Sequence, residues 1–124
     1  MKTDSSEIYK EHILDSYKNP QNRGEFQTEF AYKGINTYCG DEINLFLKIE
    51  NGKIKEAKFS GTGCVISMVA ADFLAEKLKG RTLKEANAVD EKFILKLLNI
   101  PISEERINCA TLALKSLKEI MKNA

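Results

Sequence analysis

Three cysteines and an aspartate carry most of the chemistry this sequence offers. They are Cys39 in Tyr38-Cys39-Gly40-Asp41, Cys64 in Gly61-Thr62-Gly63-Cys64, and Cys109 in Arg106-Ile107-Asn108-Cys109. An odd number of thiols without a CxxC pair argues against a disulfide framework, so ligands and nucleophiles are the readings to test. An isolated cysteine is commonly a small buried hydrophobe. Here each one stands near the end of a predicted element, where sites are commonly built. Cys64 opens a predicted helix, whose unpaired N–H groups and positive dipole end favour thiolate, the form that binds metal and attacks sulfur. Gly61 and Gly63 let the backbone turn tightly and leave room above the sulfur. A plain strand-to-helix connection explains those glycines equally well.

Asp41, two residues past Cys39, is the fourth group. Three thiolates and a carboxylate form a reasonable tetrahedral set for Zn²⁺, or for iron with bridging sulfides. The bland alternative is a turn carboxylate that bonds local N–H groups. The gaps of 25 residues from Cys39 to Cys64 and 45 from Cys64 to Cys109 match no zinc-finger arrangement. His12, the single histidine, is expected at an exposed helix position remote from the cysteines, which leaves a Cys–His hydrolase pair without support. There is no Walker loop and no GxGxxG after a strand, so nucleotide binding lacks its usual features.

The elements that must position these groups follow from periodicity. Ser6 to Tyr17 reads as a helix with Tyr9, Ile13, Leu14 and Tyr17 on one side, stopped by Asn19-Pro20. Residues 19–24 form a loop. Phe26 to Ile35 reads as a strand, from alternation at Phe26, Phe30 and Tyr32. Ile43, Leu45, Leu47 and Ile49 alternate with polar or outward residues, the period of a half-buried strand. Asn51-Gly52 then signals a two-residue hairpin turn with positive φ at both positions. In the return strand, Lys53 to Ser60, Ile54 is out of phase with Ala57 and Phe59, which predicts a bulge. Ile66, Val69, Ala70, Phe73, Leu74 and Leu78 form a helical stripe, with Lys77 and Lys79 near its end and Gly80 past it. A short connection leads to a helix near Asp90–Asn99, halted by Pro101. One last helix carries Ile107, Ala110, Leu114, Leu117 and Met121, with Cys109 beside that stripe. Strands first and helices later predict an α+β fold, with helices packed on one face of a small antiparallel sheet.

Composition bounds the function. A chain of 124 residues amounts to one domain, read here as residues 1–124, with no repeats or internal linker. Nineteen Lys plus Arg against 18 Asp plus Glu leave no electrostatic footprint for nucleic acid. No apolar run approaches the roughly 18 residues needed to cross a bilayer. The first seven residues, polar and partly acidic, are unlike a signal or transit peptide. A cytoplasmic protein with reduced thiols is expected.

Taken together, Tyr-Lys-Asn-Pro-Gln-Asn-Arg-Gly (17–24), Cys-Gly-Asp (39–41), Gly-Thr-Gly-Cys-Val-Ile-Ser-Met (61–68), Lys-Gly-Arg-Thr-Leu (79–83) and Arg-Ile-Asn-Cys-Ala-Thr-Leu (106–112) resemble the IscU/NifU/SufU family of iron–sulfur cluster assembly proteins. The resemblance runs from about Tyr9 to the last helix. It implies a compact α+β domain with a three-stranded antiparallel sheet. It also implies a scaffold, not a turnover enzyme, that accepts persulfide sulfur from a cysteine desulfurase. The sulfur is combined with iron into a transient [2Fe-2S] cluster, which passes to apo-proteins or carriers. By position the ligands implied are Cys39, Asp41, Cys64 and Cys109, with Cys109 or Cys64 accepting the persulfide. Asp41 would aid release, because a hard carboxylate oxygen holds a cluster less firmly than thiolate.

Two departures bear on the subfamily. Many IscU-type members have a histidine before the third cysteine, where this chain has Asn108, a poor metal ligand. The proline-rich stretch that an Hsp70-type chaperone recognises is replaced by Ile100-Pro101-Ile102-Ser103-Glu104-Glu105-Arg106, so the resemblance does not extend to that partner. The Arg-x-x-Cys-Ala-Thr-Leu ending looks like SufU, yet the chain lacks room for the SufU insertion between the second and third cysteines. The second function is therefore a SufU-type zinc-bound sulfur acceptor that stimulates the desulfurase. A third, a zinc site that only supports folding, has less need here, because hairpin and helices already supply a core. A monomer and a homodimer both fit the sequence.

Overall fold

The computed structural model describes residues 10–38 and 40–124. Helix α1 (Glu11–Lys18) leads into the sheet strands β1 (Phe30–Asn36), β2 (Asp41–Glu50) and β3 (Lys53–Thr62). Five helices follow: α2 (Val65–Leu78), α3 (Leu83–Asn87), α4 (Glu91–Leu98), α5 (Glu104–Ala110) and α6 (Leu112–Met121). The strands pair antiparallel in the order β1-β2-β3. The expected α+β architecture, a three-stranded antiparallel sheet under helices, is the one observed.

Alternation in β2 buries Ile43, Leu45 and Leu47 completely against the helices. Asn51 (φ 54°) and Gly52 (φ 74°) make the hairpin turn in the left-handed region, as Asn-Gly does when the turn must match strand twist. The register then slips between Lys48 and Ile49, where Ile49 faces Ile54 but Lys48 faces Glu56. This bulge lets Ile54, Ala57 and Phe59 all turn inward. The outer edge of β3 is covered at both ends. Gly24 N–H donates to Phe59 O and Phe59 N–H to Asn22 O, while Ile54 N–H donates to Arg81 O and Leu83 N–H to Gly52 O. Blunting an edge in this way guards it against pairing with another chain.

Helix α2 is buried over most of its surface, a state its mostly apolar and small residues permit. It contacts β2, β3, α1, α4, α5 and α6, so the helix that Cys64 opens is the centre of the molecule. Its one buried acid, Asp72, is satisfied by Ser16 Oγ (2.7 Å), Asn22 N (2.9 Å) and Asn22 Nδ2 (3.1 Å). That network ties α1 and the 19–24 loop to α2. Helix α6 packs on β1 and β2, so closely that a Cβ at Gly34 would lie 2.5 Å from Ser116 Oγ.

Several expectations need correction. Ser6 to Tyr9, the start of the first predicted helix, lies outside the described residues. Within α1 the buried residues are Ile13 and Ser16, whereas Tyr17 is exposed, because Ser16 is drawn inward by Asp72. Strand β1 starts at Phe30, not Phe26; Phe26 instead packs tilted against Phe46. The short connection after Gly80 contains α3, capped by a reciprocal Thr82–Glu85 box that the Thr-x-x-Glu spacing encodes. The last helix is two helices. Thr111 (φ −105°, ψ 9°) breaks it, its hydroxyl donating to Ile107 O at 2.8 Å, the back-bond that bends helices. His12 is exposed, as expected, but it is not idle: Nε2 lies 2.8 Å from Leu98 O and the ring stacks on Phe73. Among the described residues, no helix is long and apolar enough to cross a membrane.

Candidate metal centre

Asp41, Cys64 and Cys109 converge although they come from three separate elements. One ligand atom from each lies within 4.8 Å of the others. Asp41 is the first residue of β2, paired across the sheet with Asn36 at the far end of β1. The turn between these strands is tightened by two bonds to the buried Asn36: Tyr38 N–H donates to its Oδ1 (3.1 Å) and Gly40 N–H to its carbonyl (2.8 Å). Gly40, at φ +74°, adopts a backbone that few side chains would tolerate. Cys39, expected in the site, falls between these residues in the sequence and lies outside the described residues.

Cys64 is the N-cap residue of α2, with extended backbone (φ −73°, ψ 170°), and its carbonyl accepts from Met68 N–H at 3.1 Å. The approach to it depends on the two glycines. At Gly61 (φ +137°) a Cβ would run into Glu42 O of the neighbouring strand. At Gly63 a Cβ would sit 3.1 Å from both Asp41 Cγ and Ser67 Cβ. Gly63 thus keeps the space that brings the carboxylate against the helix start. Cys109 sits in α5, which packs on α2. It is 8% exposed and counts among core residues, deeper than a position beside the apolar stripe implied. The break at Thr111 separates its helix from α6, so Cys109 is not bound to the direction of the long stripe.

The donor set fits a single tetrahedral ion. A regular tetrahedron of 4.8 Å edge, the widest these donors' spacing allows, has its corners about 2.9 Å from its centre, against about 2.3 Å for Zn–S and 2.0–2.2 Å for Zn–O. The remaining difference, at most about 0.6–0.9 Å, is within reach of side-chain rotation. Two donors are buried, and Cys64 is half-buried, so the centre opens to solvent on the Cys64 side.

Ser67 is the residue that sequence reasoning passed over. It is fully buried, its Oγ donates to Asp41 Oδ2 at 2.6 Å, and it lies 3.6 Å from Cys64 Sγ. The signal was present: positions three apart on a helix share a face, which sets Ser67 one turn below Cys64. Beside the centre, a cavity of about 340 Å³ is lined by Tyr17, Arg23, Gly61, Gly63 and Met68 among others. The 17–24 motif therefore forms one wall of the approach to the site.

The model of the NifU-like N-terminal domain family matches residues 8–123. The iron–sulfur cluster assembly scaffold protein IscU of Thermotoga maritima is 35% identical, over 93% of this chain and 93% of its own length. The zinc-dependent sulfurtransferase SufU of Bacillus subtilis is 31% identical, over 90% of this chain and 88% of its own length. A crystal structure from Fervidobacterium islandicum AW-1, described as an iron–sulfur cluster assembly scaffold for the SUF system, superposes with a TM-score of 0.76 at 28% identity. It covers 94% of this chain and 98% of its own. With the fold, the motifs and nearly the full length in agreement, the chain belongs to the NifU-like N-terminal domain family.

Proposed function

We propose that this protein is a scaffold on which a [2Fe-2S] cluster is assembled and from which it is passed on. The observation that carries this reading is the convergence of Asp41, Cys64 and Cys109 within 4.8 Å at a centre open on one side. Scaffold relatives more than 30% identical over nearly the whole chain support it. Cys39, two residues before Asp41, completes the set as the fourth donor. Residues 1–124 act as one such domain, in the cytoplasm, where thiols stay reduced.

Sulfur arrives on a cysteine desulfurase as a persulfide. Cys64, the more accessible of the two described thiols, attacks the terminal sulfur as thiolate. A new S–S bond forms, the old one breaks, and the desulfurase thiolate leaves. Cys109 is the second acceptor, within reach of Cys64 but more deeply placed. Iron is the other substrate. Reducing two sulfane sulfurs takes more electrons than two ferrous ions give, so assembly also requires an external reductant. Asp41 contributes the hard, weakly held ligand at which hand-over to an apo-protein begins.

The compactness of the donor triangle gives a second reading its footing. It suits one ion, and the Bacillus subtilis relative is named a zinc-dependent sulfurtransferase. In that case the same residues hold Zn²⁺, and the protein is a sulfur acceptor that speeds the desulfurase. Anaerobic reconstitution with ferrous iron, cysteine, reductant and a cysteine desulfurase separates the two. A visible-absorbing [2Fe-2S] species, lost in each Cys→Ser variant, is the scaffold result. Stoichiometric zinc, no cluster and a several-fold faster desulfurase is the sulfur-acceptor result. Neither metal nor cluster, with Cys64→Ser transferring sulfur normally, would refute both.

A further inference from the structure

Two of the three converging donors meet the same buried hydroxyl. Ser67 Oγ donates to Asp41 Oδ2 at 2.6 Å and stands 3.6 Å from Cys64 Sγ, and Ser67 has no exposed surface. The short distance is that of a charge-assisted bond to a carboxylate. It also crosses the fold, from the first turn of the central helix to the first residue of β2. Gly63 closes the arrangement, since a Cβ there would press on Asp41 Cγ and Ser67 Cβ together.

We infer that Ser67 is a positioning residue for the metal centre: it fixes the Asp41 carboxylate so that this ligand engages a metal through one oxygen. This rests on the metal-centre reading of the preceding subsection. The physical reason is competition for lone pairs and for orientation. A carboxylate anchored by a strong hydrogen bond at one oxygen cannot swing freely to present both oxygens symmetrically to one ion. Four-coordinate geometry is then maintained, and the carboxylate stays the weakest link of the set. Without the hydroxyl, the carboxylate loses that restraint on its orientation and more readily presents both oxygens to one ion. Partners of this kind typically change metal affinity by about 10- to 100-fold.

The test uses the full chain, anaerobic and metal-free, titrated with Co²⁺ as a spectroscopic stand-in for Zn²⁺ or ferrous iron. Four proteins are compared: wild type, Ser67→Ala, Asp41→Ala and the double variant. Wild type should show thiolate-to-cobalt charge transfer and the intense d–d bands of tetrahedral cobalt. Ser67→Ala should keep the charge-transfer band, because the sulfurs remain. Its d–d bands should weaken as coordination number rises, and its affinity should fall about 10- to 100-fold. In the Asp41→Ala background, adding Ser67→Ala should change neither, because the residue acts through the carboxylate. That arm strands no acceptor, so it keeps the comparison informative if the single variant folds poorly.

An unchanged spectrum and affinity in Ser67→Ala would overturn the assignment. So would an equal loss in the Asp41→Ala background, which a purely structural serine would give. A wild type that takes up cobalt with no charge-transfer band would instead overturn the metal centre itself, and this assignment with it.

Discussion

Gly63→Ala is a sharp probe of the centre, because the structure separates its effect on the site from its effect on the fold. The new methyl would lie 3.1 Å from Asp41 Cγ and from Ser67 Cβ, and 3.3 Å from Asp41 Cβ. Favourable carbon contacts begin at about 3.5 Å, so both neighbours must withdraw by about 0.4 Å or more. Asp41 is held by Ser67 and Ser67 by the central helix, so the displacement falls on the donor carboxylate. Binding constellations must be held to within about 0.5 Å, and a shift of this size uses up nearly all of that margin before the metal imposes its own demands. Metal affinity should therefore drop by about tenfold or more. The fold pays less. Overpacking costs about 1–3 kcal/mol, and the loss of unfolded-chain entropy returns about 0.4–1 kcal/mol. At about 0.26 kcal/mol per kelvin for 124 residues, the melting temperature should fall by no more than about 10 °C. Gly52→Ala is the control: it has positive φ (+74°), nothing within 4 Å, and a place at the hairpin turn. Its strain should lower stability without weakening metal binding. Zinc affinity is read by competition against a chromogenic chelator, with thermal melts of the metal-free proteins alongside. A Gly63→Ala protein that binds zinc like wild type would refute the reasoning, whatever its stability.

Other consequences can be checked in parallel. Asp41→Ala should lengthen the life of a reconstituted cluster challenged with an apo-protein, because the labile ligand is gone; faster transfer would contradict the release role. Asp72→Ala removes the acceptor of Ser16 and of the Asn22 backbone, and should cost about 2–4 kcal/mol. That corresponds to a melting temperature lower by about 8–15 °C, with faster amide exchange at Asn22; a change under about 1 kcal/mol would show the network to be dispensable. Glu56 titrates below the usual carboxylate range, chiefly because Ala57 N–H donates to it and secondarily through Lys79 at 3.5 Å. Its depressed folded pKa means its stabilisation is present above the unfolded value and is lost as pH falls through the folded one. The side chain is about 40% exposed and screened by solvent, so wild type should exceed Glu56→Gln by under about 1 kcal/mol near neutrality. That advantage should vanish in acid melts, and an advantage that grew with acidity would reverse the sign.

Much of this architecture was legible because it rests on local rules. The alternation of Ile43, Leu45 and Leu47, the Asn51-Gly52 turn and the phase slip at Ile54 each encode their own geometry within a few residues. What escaped was set by long-range contacts. Tyr17 looked like a core residue until Ser16, drawn by Asp72 from 56 residues away, took the inward face. The apolar stripe from Ile107 to Met121 is continuous in sequence, and only the Thr111 back-bond divides it. At the centre, residue types and the family motifs could name Cys39, Asp41, Cys64 and Cys109, but spacing could not bring Asp41, Cys64 and Cys109 together. That took the strand pairing of Asp41 with Asn36 and the packing of α5 on α2. Ser67 was hidden for the opposite reason: a serine within an apolar helix reads as filler until a carboxylate is found against it.

Because each described donor stands on its own element, an unfolded chain has no means of presenting the set, and ligation is paid for only by the folded form. Occupancy and folding are then one linked equilibrium. A metal held at a free concentration about 100 times its dissociation constant adds about 2.7 kcal/mol to the stability. For 124 residues this raises the melting midpoint by about 10 °C. On the proposed metal-centre reading, a simple heat denaturation curve thus doubles as a binding isotherm.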